Sequence, residues 1–589
     1  MRAPHLQSQL GDMMRCLVVA GMSLMIVVSL LGIVVSEAPT YGGTLIYCIE
    51  SDPPHLNPSI TTHTTVRVCV GAIYEGLFIY KQTYKEEDMI PALAESMTVS
   101  SDSKTYTFKL VRNATWHDGV PFTSADVKFT YEQLLVKYHP RQSRFASILD
   151  AVETPDNYTV VFKWKVSNFA FRYTLSIDNF PVLPLHLWNG TDPLQNPYAS
   201  KPVGTGPMKF KEWNKGQYVE VERNGDYHYS VYPYLDRIIY KILPDPETRT
   251  EAILKGEVDY VWWWAIPYYN LPLFEEEEAK GTGLGISRVD AEPPVVAIHF
   301  FNLQRPIFQD IRVRQAIAYA INETYIVDKA LHGWGYPGTS CIGIGSPYHN
   351  PNVTRYDYNV TKANELLDAA GYTRGAGGVR FTISVMEEVG KAHYVKAAQI
   401  MAEQLAQVGI KVQVIALDST TEAEYIYMRR DFDIGGVCLT YAPDPEIAVA
   451  RCWVSSMIYP YKYYTNAATY NNSRVDELFD LAARATTFEE RKAYYDEVQE
   501  IIAEELPAII LFEEKLPTLY RKDKFHYETQ YHVDYVYPWR NVWMLASAQQ
   551  TPSNQNWLTQ YQWVIVGAVV IIVVVGMYAW IAKKKIRKK

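Results

Sequence analysis

The thirty residues from Tyr106 to Leu135, YTFKLVRNATWHDGVPFTSADVKFTYEQLL, constrain the fold of this chain more than any other stretch. They predict a strand, a turn and a capped helix in immediate succession. Tyr106, Phe108 and Leu110 alternate with Thr107, Lys109 and Val111, which is the period of a strand with one buried face. Asp118-Gly119 and Pro121 supply the turn chemistry that ends it. Thr123 then opens a helix. Its hydroxyl is placed to accept from the Asp126 N–H, and Phe122 and Val127 take the two positions of a hydrophobic staple. Val127, Tyr131, Leu134 and Leu135 form one apolar helix face.

Two apolar segments stand apart from this globular grammar. Cys16 to Val35 is a run of twenty residues without a charge, preceded by Arg15 and followed by a small-residue site at Val34-x-Ser36. The site reads as signal-peptide cleavage and the length as an uncleaved signal anchor, so residues 1–36 carry both readings. Val564 to Ala582 is a run of nineteen uncharged residues after Trp557, Tyr561 and Trp563, and KKKIRKK follows it at once. This predicts a single transmembrane helix over 564–582, a tether over 547–563 and a basic cytoplasmic tail over 583–589. The body between the two segments is then extracellular. Without the terminal charges it keeps 48 basic and 64 acidic residues, about −16, which excludes nucleic acid as a partner.

Outside the cell, disulfides and N-glycans are permitted. Five cysteines follow the first segment, and Cys438 and Cys452, flanking Pro443-Asp444-Pro445, form the candidate pair, with five free thiols as the alternative. Sequons fall at Asn113, Asn157, Asn189, Asn322, Asn352, Asn359 and Asn471. No H-E-x-x-H, G-x-S-x-G, Walker A or zinc-spaced Cys/His cluster is present, so the chain is expected to be no enzyme and to use no cofactor or metal. Gly281-x-Gly283-x-Gly285 reads as a loop. The positive signal is aromatic: 45 Tyr and 14 Trp, including the run Trp262-Trp263-Trp264. Such rings serve either as packing or as stacking platforms for polar ligands. If that run is a strand, Trp263 and Trp264 point to opposite faces.

Trp116-His117-Asp118-Gly119-x-Pro121-Phe122-Thr123-x-Ala125-Asp126-Val127 resembles the signature of the family 5 extracellular solute-binding proteins, which deliver oligopeptides, some oligosaccharides or nickel to ABC importers. Phe308-x-Asp310-x-Arg312-Val313-Arg314-Gln315-Ala316-Ile317, the run ANELLDAAGY from Ala363 to Tyr372, and Asp444-Pro445 resemble three further blocks of that family in the same order. Val203-Gly204-Thr205-Gly206-Pro207 is similar to its re-entry segment.

The resemblance implies an α/β fold, namely a large, discontinuous, multi-lobe periplasmic-binding-protein-like fold of type II with an extra domain, here joined to one C-terminal transmembrane helix in an anchored, archaeal-like layout. The lobes are expected at 37–80 with 203–292 and 507–546 (domain I), at 81–202 (domain II, an insert) and at 293–506 (domain III). Partners implied are a ligand, importer permease subunits and the membrane. An oligopeptide is the first expectation for the ligand and an oligosaccharide the second; a surface hydrolase or a structural surface protein is the outside reading. By position, Thr62, His63 and Thr64 would pair with an extended ligand, and Trp262 would contact it. Leu439, Thr440, Tyr441 and Asp444 fall where peptide binders carry W-x-x-D-x-x-D-P, but this chain has no Asp at the place that grips the ligand's ammonium. A buried ammonium without a counter-charge is costly, which leaves Asp444 as the nearest candidate.

Overall fold

The computed structural model describes residues 39–80, 89–142, 145–288, 295–440, 444–458, 463–527 and 542–549. The two terminal apolar segments lie outside these residues, and no helix among the described residues is long and apolar enough to cross a membrane.

The strand-turn-helix unit forms as its pattern requires. Thr105–Leu110 buries Tyr106, Phe108 and Leu110 and lies second in a four-stranded sheet with Ala94–Val99, Thr159–Trp164 and Leu149–Asp156. Helix Ser124–Phe129 starts with the Asp126 carboxylate accepting from the Thr123 N–H at 2.9 Å, and both staple residues, Phe122 and Val127, are buried. Over Thr130–Leu135 the helix widens into a π-turn. The turn before it docks this unit onto the segment around Gly204 and Gly206. The His117 ring lies 3.0 Å from the Gly206 carbonyl through Nε2, and its Nδ1 accepts from the Gly204 N–H at 3.2 Å. Acceptance at Nδ1 fixes the neutral tautomer with the proton on Nε2, and burial pushes the ring down to about 4. Only glycine fits opposite: a Cβ on Gly204 would lie 1.8 Å from the Ile73 carbonyl oxygen.

Two larger sheets follow. One has seven strands in the order Leu284–Ser287, Thr518–Arg521, Tyr260–Val261, Thr44–Ile49, Arg237–Ile242, Tyr218–Arg223, Met208–Asn214. The other has six, in the order Gly335–Pro337, Ala508–Glu514, Val295–Phe301, Ile434–Thr440, Phe381–Glu388, Ile410–Leu417. Val295–Phe301 reads VVAIHFF without polar alternation because both of its faces are covered. Val295 and Ala297 enter one core and Val296, Ile298 and Phe300 the other. The run Leu506 to Tyr520 divides between the sheets, with Ala508–Glu514 pairing in the six-stranded sheet and Thr518–Arg521 in the seven-stranded one.

The Cys438–Cys452 disulfide expected from sequence does not form. Cys438 and Cys452 are both free thiols, as are Cys48, Cys69 and Cys341. Sheet geometry keeps them apart: Cys438, opposite Ala297 in register, packs on one side of the six-stranded sheet, while Cys452 lies in a short helix, Ala450–Trp453, in the core on the other side. Six sequon asparagines are exposed; Asn322 is half-buried, and its side chain caps helix Glu323–Ala330.

Candidate functional site

A cleft of about 320 Å³ opens where the chain passes between the two large sheets. The wall on the seven-stranded side comes from the segment after strand Tyr260–Val261. That strand is only two residues long, and Trp262 caps a 3₁₀ turn, Trp263–Ala265. The turn, and not a strand, sets the ring directions, so Trp263 and Trp264 both line the cleft, joined by Tyr268 and Tyr269. Arg249 pins this segment by donating to the carbonyls of Leu243, Pro244 and Ala265 at 2.7–2.8 Å. Its guanidinium is thereby engaged in building the wall.

The opposite wall is Glu388, at the carboxyl end of strand Phe381–Glu388, followed by Val389, Gly390, Lys391 and the first turn of helix Ala392–Gln407 with His393. This strand runs parallel to both neighbours, and ligands in α/β sheets collect at the carboxyl ends of parallel strands. Lys391 Nζ lies 3.0 Å from Glu388 and 5.0 Å from the Trp264 ring centroid across the cleft. Burial alone would lower the Lys391 pKa. The neighbouring Glu388 and Glu514 outweigh it, so the ammonium is held protonated.

Cys438 and Glu514 also line the cleft. Burial pushes the Cys438 thiol up to about 11, so at neutral pH it is an uncharged surface. Glu514 is buried, and burial would raise its pKa. His393 at 3.5 Å and the hydroxyls of Tyr394 at 2.6 Å and Tyr268 at 2.9 Å hold it below the usual carboxylate value instead.

The residues expected from sequence lie elsewhere. Trp262 is 2% exposed, and its Nε1 donates to Glu50 at 2.9 Å; it supports the wall from behind. Thr64 is the first residue of helix Thr64–Val70, and His63 is its cap, with the ring on the Thr65 hydroxyl at 2.9 Å. An extended pairing edge is therefore absent at Thr64, and neither it, Thr62 nor His63 lines the cleft. Leu439 is buried on the far side of the six-stranded sheet from Cys438. Thr440 ends its strand opposite Val295 in register, and Tyr441 lies outside the described residues. Asp444 is fully buried, and the Arg491 Nη2 reaches both of its oxygens at 2.6 and 2.7 Å. It caps helix Pro445–Ala448 through the Glu446 N–H, so its carboxylate is engaged before any ligand arrives.

Glu388, Lys391, His393, Glu514 and Tyr268 were not singled out from sequence. A usable signal was present for two of them: Glu388 and Lys391 close a β-branched strand pattern just before a helix, the place the parallel-strand rule selects.

The family model described as bacterial extracellular solute-binding proteins, family 5, middle part, matches residues 88–453. A Brucella ovis protein named as an ABC transporter peptide-binding protein is 32% identical over 384 residues, covering 63% of this chain and 69% of that one. The oligopeptide-binding protein AppA of Bacillus subtilis is 29% identical over 496 residues, 80% of this chain and 87% of its own. The structure of AppA in complex with a nonapeptide aligns with a TM-score of 0.72 at 24% identity, covering 86% of this chain and 99% of that chain. NikZ from Campylobacter jejuni, in complex with Ni(L-His), aligns with a TM-score of 0.71 at 25% identity over 82% of this chain and 94% of its own.

Proposed function

Because this chain belongs to the bacterial extracellular solute-binding proteins of family 5, we propose that it is the capture receptor of an ABC importer and that its cargo is a short oligopeptide held between Trp264 and Lys391. One observation carries the peptide reading. The cleft presents one ammonium, Lys391, and two carboxylates, Glu388 at 3.0 Å from it and Glu514, within aromatic walls, a set complementary to a zwitterion with apolar side chains. Glu388 takes the role that the missing Asp left vacant, and Lys391 receives the ligand's carboxylate. A volume of about 320 Å³ is near the low end for ligand sites, roughly 300–1,000 Å³. The cargo in this conformation is accordingly a few residues long. The names of the Brucella relative and of AppA support the same class.

Capture is binding and closure, with no bond made or broken. The lobes that close are those expected from sequence with one boundary moved: 507–514 goes with 293–506, because strand Ala508–Glu514 pairs in the six-stranded sheet, which leaves 37–80, 203–292 and 515–546 as the first lobe and 81–202 as the insert. The permease reads the closed state through its difference from the open one. The apolar run 564–582 with KKKIRKK after it holds the body on the outer face of the membrane.

Calorimetric titration with trialanine and with N-acetyl-trialanine tests the assignment. Glu388→Gln should weaken trialanine binding roughly ten-fold or more, the scale of a lost charge-assisted contact, and leave the acetylated peptide unchanged. Equal losses for both would remove Glu388 from the ammonium site. An oligosaccharide is the second reading, favoured by the adjacent Trp263 and Trp264 rings as stacking platforms.

A further inference from the structure

The chain leaves the six-stranded sheet at Glu514 and enters the seven-stranded sheet at Thr518, so three residues carry this passage. Glu514 is the last residue of its strand and is buried. Its two carboxylate oxygens are divided between the walls of the cleft. Oε2 lies 2.9 Å from the hydroxyl of Tyr268, which belongs to the segment that follows Trp263 and Trp264. Oε1 accepts from the Tyr394 hydroxyl at 2.6 Å and lies 3.5 Å from His393 Nε2, both on helix Ala392–Gln407, which continues from the Glu388–Lys391 wall. The Tyr268 and His393 rings also stack directly, with centroids 4.3 Å apart and planes 21° apart. The Tyr268 hydroxyl lies 2.8 Å from the carbonyl of Lys515, on the passage itself.

Few arrangements put one carboxylate in contact with both walls at the point where the chain crosses between them. A merely structural carboxylate would be satisfied from one side only, as Glu513, on the other face of the same strand, is by Thr339 and Ile344 in the segment that follows strand Gly335–Pro337. From this geometry we infer that Glu514 is a positioning residue of the cleft: by gripping Tyr268 from one wall and Tyr394 with His393 from the other, it holds the walls at their binding separation before a ligand arrives. The inference rests on this cleft being the capture site. It does not depend on the cargo being a peptide.

The consequence is a bias in the open–closed equilibrium. Contacts made in the closed arrangement and broken on opening shift the population by their own free energy, and the affinity for any ligand that needs the closed state scales with the closed fraction. Separating the walls must break both the Tyr268–Glu514 contact and the His393–Tyr268 stack, because Glu514 and His393 both belong to the six-stranded side and Tyr268 to the other. Lys391 and Cys438 also face the carboxylate, but both come from the six-stranded side, so neither links the walls through Glu514.

The test is made without ligand, on the full-length protein. Spin labels carried by keto amino acids in place of Lys255 and Lys396, exposed positions on helices flanking the two sheets, report the wall separation as a distance distribution. Glu514→Ala should move a substantial part of the distribution to longer distances. Tyr268→Phe, which removes only a hydroxyl, should do so to a smaller degree. Glu514→Gln should restore most of the short-distance population, since an amide can still accept from one tyrosine and donate to the other. If Glu514→Ala does not fold, Tyr268→Phe and Glu514→Gln carry the comparison. Distributions for Tyr268→Phe and Glu514→Ala that superimpose on the parent, with only the melting temperature lowered, would overturn the inference. A parallel titration with trialanine separates the two readings: shifted distances with no trialanine binding would defeat the peptide assignment and leave this one, and the reverse outcome would do the opposite.

Discussion

Neighbouring tryptophans in this chain have different work, and substitution separates it. Trp262 is enclosed and bonded to Glu50, so Trp262→Ala should lower stability by about 3–5 kcal/mol, the cost of emptying a large core site. Trp264 is only half-buried and faces Lys391 across the cleft, so Trp264→Ala should leave the melt nearly unchanged and weaken ligand binding by about 1–3 kcal/mol. A melt and a titration on each variant check both halves; a binding loss confined to Trp262→Ala would reverse the assignment. Asp444 belongs with Trp262. Asp444→Ala leaves the fully buried Arg491 guanidinium without its carboxylate and should cost about 3–5 kcal/mol of stability. Sequence placed Trp262 against the ligand and offered Asp444 for the ammonium, and the structure buries both, while Trp264 lines the cleft. That choice depends on a three-residue turn, and the Arg491 partner lies 47 positions from Asp444, a distance no periodicity reports.

Elements with strong local patterns were legible from sequence and those defined by long-range pairing were not. Tyr106 to Leu135 reads correctly because alternation, turn residues and caps agree within thirty positions. What the capped helix is attached to could not be read, since the His117 contact reaches 89 residues ahead to Gly206. Gly204→Ala should therefore destabilise the protein strongly and loosen the insert, because the new methyl collides with backbone; limited proteolysis of the variant should release fragments that the parent does not. Two other elements carry carboxylates displaced by burial. Glu422, in helix Ser419–Ala423, is pushed up to about 8, first by burial and then by Glu387 and Glu388; Glu513 is pushed up to about 7 by burial. A carboxyl raised in the folded state above its ordinary value of 4.5 binds a proton that the unfolded chain releases. Its stabilisation is complete below about pH 4.5 and is lost as pH rises through about 7 to 8. Melting temperature should fall between pH 5.5 and 8.5, and Glu422→Gln should flatten that slope; an unchanged slope in the variant would show that other groups set it.

At the scale of the whole molecule, order of blocks along the chain identified the family, while the cleft emerged only from two sheets that exchange strands on either side of Glu514. The proposed anchoring predicts that protease added to intact cells removes the body and spares a fragment containing 564–582 with its basic tail. Survival of the body would contradict an outward-facing receptor. What the cleft captures is decided by a thermal-shift screen of di- to pentapeptides against cello- and malto-oligosaccharides. A bound ligand at a hundred times its Kd adds about 2.7 kcal/mol to stability, well within the range a melt resolves. Free-amine peptides of two to three residues should raise the Tm, N-acetylation should abolish the rise, and the sugars should leave the Tm unchanged; a rise with the sugars alone would show that the cleft captures an oligosaccharide and not a peptide.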